Sequence, residues 1–145
     1  MANLRMILAV ILTISIVSCA TPPGKLTESD FLSREIVLDF PVSKAYSQLR
    51  EGLRYCGPSS GGVVFVTHHG IPECMPVQED GSVLCDMYTP GAGGRSDFVL
   101  GRIEIRPRRE GSTAILRVQT YVANKDKIMK AWELFLLGRA KEVCP

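Results

Sequence analysis

Histidine is nearly missing from this chain of 145 residues: there are two, His68 and His69, and they are adjacent. Neighbouring residues of a strand point to opposite faces, so the pair does not converge on one metal ion unless the chain turns there. Glu73 and Cys74 would be the nearest further ligands, but a cysteine that is bridged to another is no ligand, and Cys74 is one of several that could pair. Exposed histidines leave the 68–69 loop, at most, a sensitivity to mild acid. No Cys-x-x-Cys pair occurs, which removes the usual four-cysteine metal sites. The glycine tracts Gly61-Gly62 and Gly91-Ala92-Gly93-Gly94 lack both the phosphate-loop spacing with its lysine and the flanks of a nucleophile elbow. No apolar run reaches the ~20 residues of a comfortable membrane-spanning helix. Charge of one sign is also lacking. The net charge is +2, and with no recognition motif present, nucleic acid is excluded as a partner.

What is present begins at the N-terminus. Arg5 precedes an apolar run from Met6 to Val17, broken only by Thr13 and Ser15, and Ser18 stands directly before Cys19. A run of about a dozen residues suits the apolar core of a signal peptide. Ile16-Val17-Ser18-Cys19 resembles the lipobox of bacterial lipoproteins, in which Leu, a small or branched residue, and Gly, Ala or Ser precede the cysteine. Ile16 departs from the commonest first residue. The resemblance implies a diacylglycerol thioether on Cys19, cleavage between Ser18 and Cys19, and acylation of the new amino group. Several acyl chains together make a stable anchor. Ala20 stands where an inner-membrane retention signal usually has Asp, so in a two-membrane bacterium the resemblance implies the outer membrane, periplasm-facing. An ordinary secretory signal and an uncleaved anchor are the competing readings.

This divides the chain into a signal peptide (1–18), a lipidated tether (19–30) and one domain (31–145). Removing residues 1–18 leaves 127 residues, enough for one compact core. Arg5 leaves with the signal, so 16 basic groups face 15 acidic ones. With Cys19 assigned to lipid, Cys56, Cys74, Cys85 and Cys144 remain, an even number that predicts two disulfides among three connectivities. Cys74 with Cys85 would clamp a hairpin-like loop, leaving Cys56 to meet Cys144. A Cys–His hydrolytic pair oriented by Asp86 would need a free thiolate, and the even count leaves none. No catalytic residue, metal ligand or cofactor is therefore assigned.

Along the domain, Ile36, Leu38 and Phe40 alternate with Glu35, Val37 and Asp39, predicting a strand over 32–40 closed by Pro41. Ser43 is the expected cap of a helix to Cys56, with Tyr46, Leu49, Leu53 and Cys56 on one stripe. Val63 to Thr67 reads as a central strand, His68 to Gly81 as irregular, Ser82 to Tyr88 as a strand, and Thr89 to Arg95 as a glycine-rich turn. Phe98–Arg106 and Thr113–Val122 form the clearest pair. Val99, Gly101, Ile103 and Ile105 share one parity, and Ala114, Leu116, Val118 and Val122 share another, with 107–111 as the hairpin. Asn124 is the expected cap of a long final helix reaching Val143, whose wide apolar face contains Ile128, Trp132, Phe135 and Leu136.

The expected fold is therefore α+β, in the order β-α-β-β-β-β-α: an antiparallel sheet covered on one side by an N-terminal and a long C-terminal helix. A sheet gripping a C-terminal helix resembles the helix-grip architecture of START-like carrier domains and of the domains of BamC, a lipoprotein of the outer-membrane assembly machinery. The segment from Phe40 to Tyr46 resembles the first strand-to-helix junction of that group. No functional residue is carried over. Arg102, Arg106 and Arg117, with Arg108 and Arg109 near them, mark the expected partner surface. The expected function is an interaction or structural component of an envelope assembly, held to membrane lipid through Cys19 and meeting an envelope protein. The alternative is a small-ligand or lipid-binding module with a pocket between sheet and final helix.

Overall fold

The computed structural model describes residues 26–56, 70–75, 77–91 and 94–144. The expected signal peptide, Cys19, the strand expected over 63–67 and the two histidines lie outside the described residues.

Among the described residues, five strands form one antiparallel sheet in the order β1-β5-β4-β3-β2. They are β1 (Phe31–Leu38), β2 (Ile71–Cys74), β3 (Val83–Gly91), β4 (Gly94–Pro107) and β5 (Ser112–Gln119). Helix α1 (Val42–Tyr55) follows β1, and α2 (Lys125–Leu136) follows β5. The class and the β-α-β-β-β-β-α order are as expected. Among the described residues, the strand that follows α1 is 71–74, in the stretch read as irregular. Two prolines and a length of four residues hide it from a periodicity argument, and Pro72 is tolerated because β2 pairs only with β3 among the described residues.

Two parities specify which face is buried. On β1 and β5, Ile36 pairs with Ala114, Leu32 with Val118 and Leu38 with Ser112; on β4 and β5, Ile103 pairs with Leu116 and Ile105 with Ala114. Leu38, Ala114, Leu116, Val118, Ile103 and Ile105 are all fully or nearly fully buried, and both helices lie over them. The opposite parity looks outward, as alternation in a sheet covered on one side requires.

Two register shifts interrupt the β3–β4 ladder, one between Met87 and Tyr88 and one between Tyr88 and Pro90, and the first breaks the expected alternation of β4. Met87 pairs with Gly101, yet Tyr88 pairs with Val99, so Leu100 is an extra residue, a β-bulge. Val99 therefore shares the outward side with Tyr88 rather than the side of Gly101 and Ile103. Further out, the β3–β4 ladder continues to Gly91 and Gly94, so most of the expected glycine-rich turn is strand. Hydroxyl contacts tie that extension together: Thr89 and Ser96 share a hydrogen bond, and Ser96 Oγ donates to Thr89 O at 3.0 Å.

Helix ends differ from expectation in detail. α1 begins at Val42 with Pro41 at its cap, so Ser43 is the second residue inside the helix and not the cap. Asn124 does stand at the cap of α2, but its side chain makes no capping bond. The long final helix ends at Leu136, short of Val143. Gly138 has φ of +71°, the left-handed conformation that stops helices, and a single 3-10 turn (Ala140–Glu142) follows. The apolar face is as wide as expected: seven of the twelve α2 residues are buried.

Two glycines mark close approaches, one of helix to sheet and one of helix to helix. A Cβ on Gly101 would lie 2.1 Å from the Arg117 carbonyl oxygen and 2.9 Å from Trp132 Cη2, so the indole rests directly on the β4 backbone. A Cβ on Gly52 would lie 2.6 Å from the Phe135 ring, which lets α1 and α2 approach closely. Trp132 and Phe135 are both fully buried. These two glycines are where the sequence exchanges side chain for proximity.

Candidate functional site

The two disulfides have the expected pairing. Cys56, the C-terminal cap residue of α1, bonds Cys144, 88 residues away, with Cα atoms 5.5 Å apart. Cys74 bonds Cys85, its direct partner in the β2–β3 ladder. The first closes the helical layer onto the segment after α2, and the second fixes the short strand β2 to the sheet. Cys19 has no cysteine partner within these two pairs.

The outward face of the sheet brings Arg102, Arg106 and Arg117 together. Ladder register sets them in rows: Glu73, Asp86, Arg102, Arg117 and Ser33 lie across one line from β2 to β1. Leu84, Glu104, Ile115 and Glu35 lie across the next, and Arg106, Thr113 and Val37 across the third. Opposite charges in adjacent positions then find one another. Arg102 donates through Nε to Asp86 Oδ1 at 2.6 Å and through Nη2 to Oδ2 at 3.2 Å, a two-pronged pair. Arg106 Nε donates to Glu104 Oε1 at 2.6 Å. Arg117 Nη1 donates to Glu104 Oε2 at 3.1 Å, and its Nε to Glu28 Oε2 at 3.0 Å.

Glu104 is the hub. Its burial pushes the carboxyl pKa up, but the hydrogen bonds from Arg106 and Arg117 outweigh that and hold it below the ordinary value. Arg102 is held above its ordinary value by the hydrogen bond to Asp86. Arg117 and Glu104 have side chains only 14% and 18% exposed, whereas Arg102 and Arg106 are 42% and 52% exposed. The three arginines thus share a face, but each is matched by a carboxylate, and the face is a charge-compensated lattice instead of a basic patch. Sequence reading places Glu104 and Glu110 among the cations, where they interrupt the cluster, but does not see Asp86 and Glu28, which come from other segments.

Glu28 belongs to a one-turn 3-10 helix (Glu28–Asp30) at the end of the expected tether. The Thr27 backbone N–H and its hydroxyl both donate to Asp30 Oδ2, at 2.7 and 2.8 Å, and Thr120 N–H donates to Asp30 O at 2.9 Å. The backbone bond from Thr27 holds the Asp30 carboxyl below its ordinary value. Residues 27–30 are therefore seated against the sheet, and the chain enters the domain at the Phe31 end of β1.

The buried amide of Gln119, paired with Phe31, donates to the Val99 carbonyl at the bulge. It fastens the irregular part of β4 to β5. Among the described residues, no group of three or more His, Cys, Asp or Glu has a metal-holding arrangement, and no helix is long and apolar enough to cross a membrane. On the side of α2 that faces the sheet, Trp132 is fully buried and lies against Gly101 of β4. Comparison with family models, with curated proteins and with solved structures gives no match.

Proposed function

We propose that this chain is a lipid-anchored cell-envelope protein, acylated on Cys19, that acts as an interaction or structural component of an envelope assembly. One observation carries the reading: the four cysteines after Cys19 pair off completely, which suits an oxidising compartment and leaves Cys19 as the thiol available to lipid. The signal-like segment before Cys19 and the Ala20 that follows it support an outer-membrane anchor with the domain in the periplasm. The solid contact of Trp132 with Gly101 favours binding by the outer surface over binding in an interior pocket. The reading assigns no catalytic group and no cofactor.

The test is affinity capture from solubilised envelope with the wild-type chain and a Cys19→Ala variant, alongside metabolic labelling with a fatty acid. Labelling is expected on the wild type and lost in the variant. The same specific protein should be recovered with both. No protein, with a small molecule or lipid co-purifying in the domain instead, would sink the assembly reading in favour of the ligand-binding alternative.

A further inference from the structure

The two ends of the sheet differ in charge. At the end away from the tether, the hairpin joining β4 to β5 is Pro107-Arg108-Arg109-Glu110-Gly111, and Glu79 and Asp80 stand in the turn before β3. All five charged groups are exposed. The end where the chain enters is unlike it. There the segments 87–94 and 118–124 carry no charged residue. Tyr121, 49% exposed, meets the Phe98 ring edge-on with centroids 5.5 Å apart, which joins the segment after β5 to β4. The acidic groups at the chain entry, Glu28 and Asp30, are turned to Arg117 and Thr27. This end also protrudes. Gln119 closes β5 opposite Phe31, while the β3–β4 ladder runs on to Gly91 and Gly94. From Val99, whose carbonyl accepts the Gln119 amide, to Gly94 the overhang reaches about 16 Å at the usual rise of a strand. The chain from Cys19 to Leu26 spans about 25 Å at most.

We infer that this end is a membrane seat, on which the β3–β4 overhang and the Tyr121 ring rest against the phospholipid surface that holds the acylated Cys19. The seat rests on the anchor reading above and adds which end of the domain meets the lipid. Chain length and overhang set the geometry together. The overhang touches the bilayer whenever the tether is less than about two-thirds extended. Chemistry selects the same end. An uncharged hairpin loses little hydration among lipid headgroups, whereas Arg108, Arg109, Glu110, Glu79 and Asp80 would have to give up water if the sheet were inverted. Tyrosine suits the boundary between water and hydrocarbon, because its ring is apolar and its hydroxyl stays wet. Seated this way, the far end of the sheet points away from the lipid, towards any envelope partner.

The experiment uses the full chain in its own membranes, with fatty-acid labelling to report the anchor separately. A photo-crosslinking amino acid replaces Asp97 or Ala123 at the seat, or Arg109 at the far end, and all three positions are exposed. Phospholipid adducts are expected at 97 and 123, at least about fivefold above those at 109, because apolar surface and anchor draw the same end to the lipid. Tyr121→Asp should lower the adduct at 123 by about threefold or more and leave the fatty-acid label unchanged, since a carboxylate is disfavoured at that boundary. A labelled chain that gives no lipid adduct at 97 and 123, or equal adducts at both ends, overturns the seat while the anchor stands. A chain without the label overturns the anchor reading and the seat with it. Crosslinking of 97 and 123 to a protein overturns the bilayer as occupant and leaves the assembly reading standing.

Discussion

Replacing Gly52 by Ala is the sharpest test of the helix-on-helix contact, because two principles give opposite signs. In a helix interior Gly→Ala is worth up to about 1 kcal/mol of added stability through propensity alone. Here the new Cβ would lie 2.6 Å from Phe135 Cγ and Cδ1 and 2.7 Å from its Cβ. Ordinary carbon contacts sit near 3.5–4.0 Å, so the helices would have to separate by roughly 1 Å. Phe135 is fully buried beneath α1 and cannot swing into solvent. Overpacking of this kind costs about 1–3 kcal/mol. Steric cost should exceed the propensity gain, for a net loss of about 1–2 kcal/mol. With a urea slope of about 2 kcal/mol/M, the middle of the usual range, the midpoint should fall by roughly 0.5–1 M in the disulfide-intact protein. Pairing the change with Phe135→Ala should uncover a coupling of at least about 1 kcal/mol, since the added methyl then fills vacated space. A Gly52→Ala variant more stable than wild type would refute the close approach of α1 and α2.

Three other outcomes follow from the same contacts. In the chain-entropy account, replacing both Cys56 and Cys144 by Ala should cost about 4–5 kcal/mol, against about 3 for Cys74 and Cys85, because the closed loops differ so much in length; denaturation of the two double variants gives the order. Arg117→Ala should cost about 1–2 kcal/mol, because it leaves partly buried Glu104 with one partner, whereas Arg102→Ala at a more exposed position should cost less than about 1, and a reversed order in melting experiments would contradict the hub role of Glu104. The carboxyls of Glu104 and Asp30 have folded pKa values below their ordinary 4.5 and 3.8. The stability they contribute is therefore present above those values and lost as pH falls through the lower folded ones. Glu104→Gln should accordingly flatten the acid side of the melting-temperature profile below about pH 4.5.

Where the sequence was legible, one period governed a whole element. Ile36 and Leu38 fixed the buried side of β1, Ala114, Leu116 and Val118 that of β5, and the Leu49 stripe that of α1, because each alternation reflects a single covered face. Legibility stopped where the cause was non-local or one residue wide. Leu100 inserts one residue into β4, which turns Val99 outward and cannot be seen without the β3 register. β2 is defined by its partner and its disulfide, not by its own pattern. Gly138 ends α2 within a stretch whose apolar spacing still looked helical. Arg102, Arg106 and Arg117, with Glu104 among them, were legible in the sequence, but the pairing of these arginines with Asp86 and Glu28 needed the fold.

The Cys56–Cys144 bond also determines how the domain would bear a mechanical load. A pull between the tether and the C-terminal segment enters along β1, whose eight register pairs with β5 resist lengthwise shear together. It then runs through α1 to Cys56 and passes straight to Cys144. Everything between those two cysteines, including β2 to β5 and α2, is bypassed by the covalent link. Under tension only β1 and α1 can be drawn out, so a domain pulled from its two ends would keep most of its sheet.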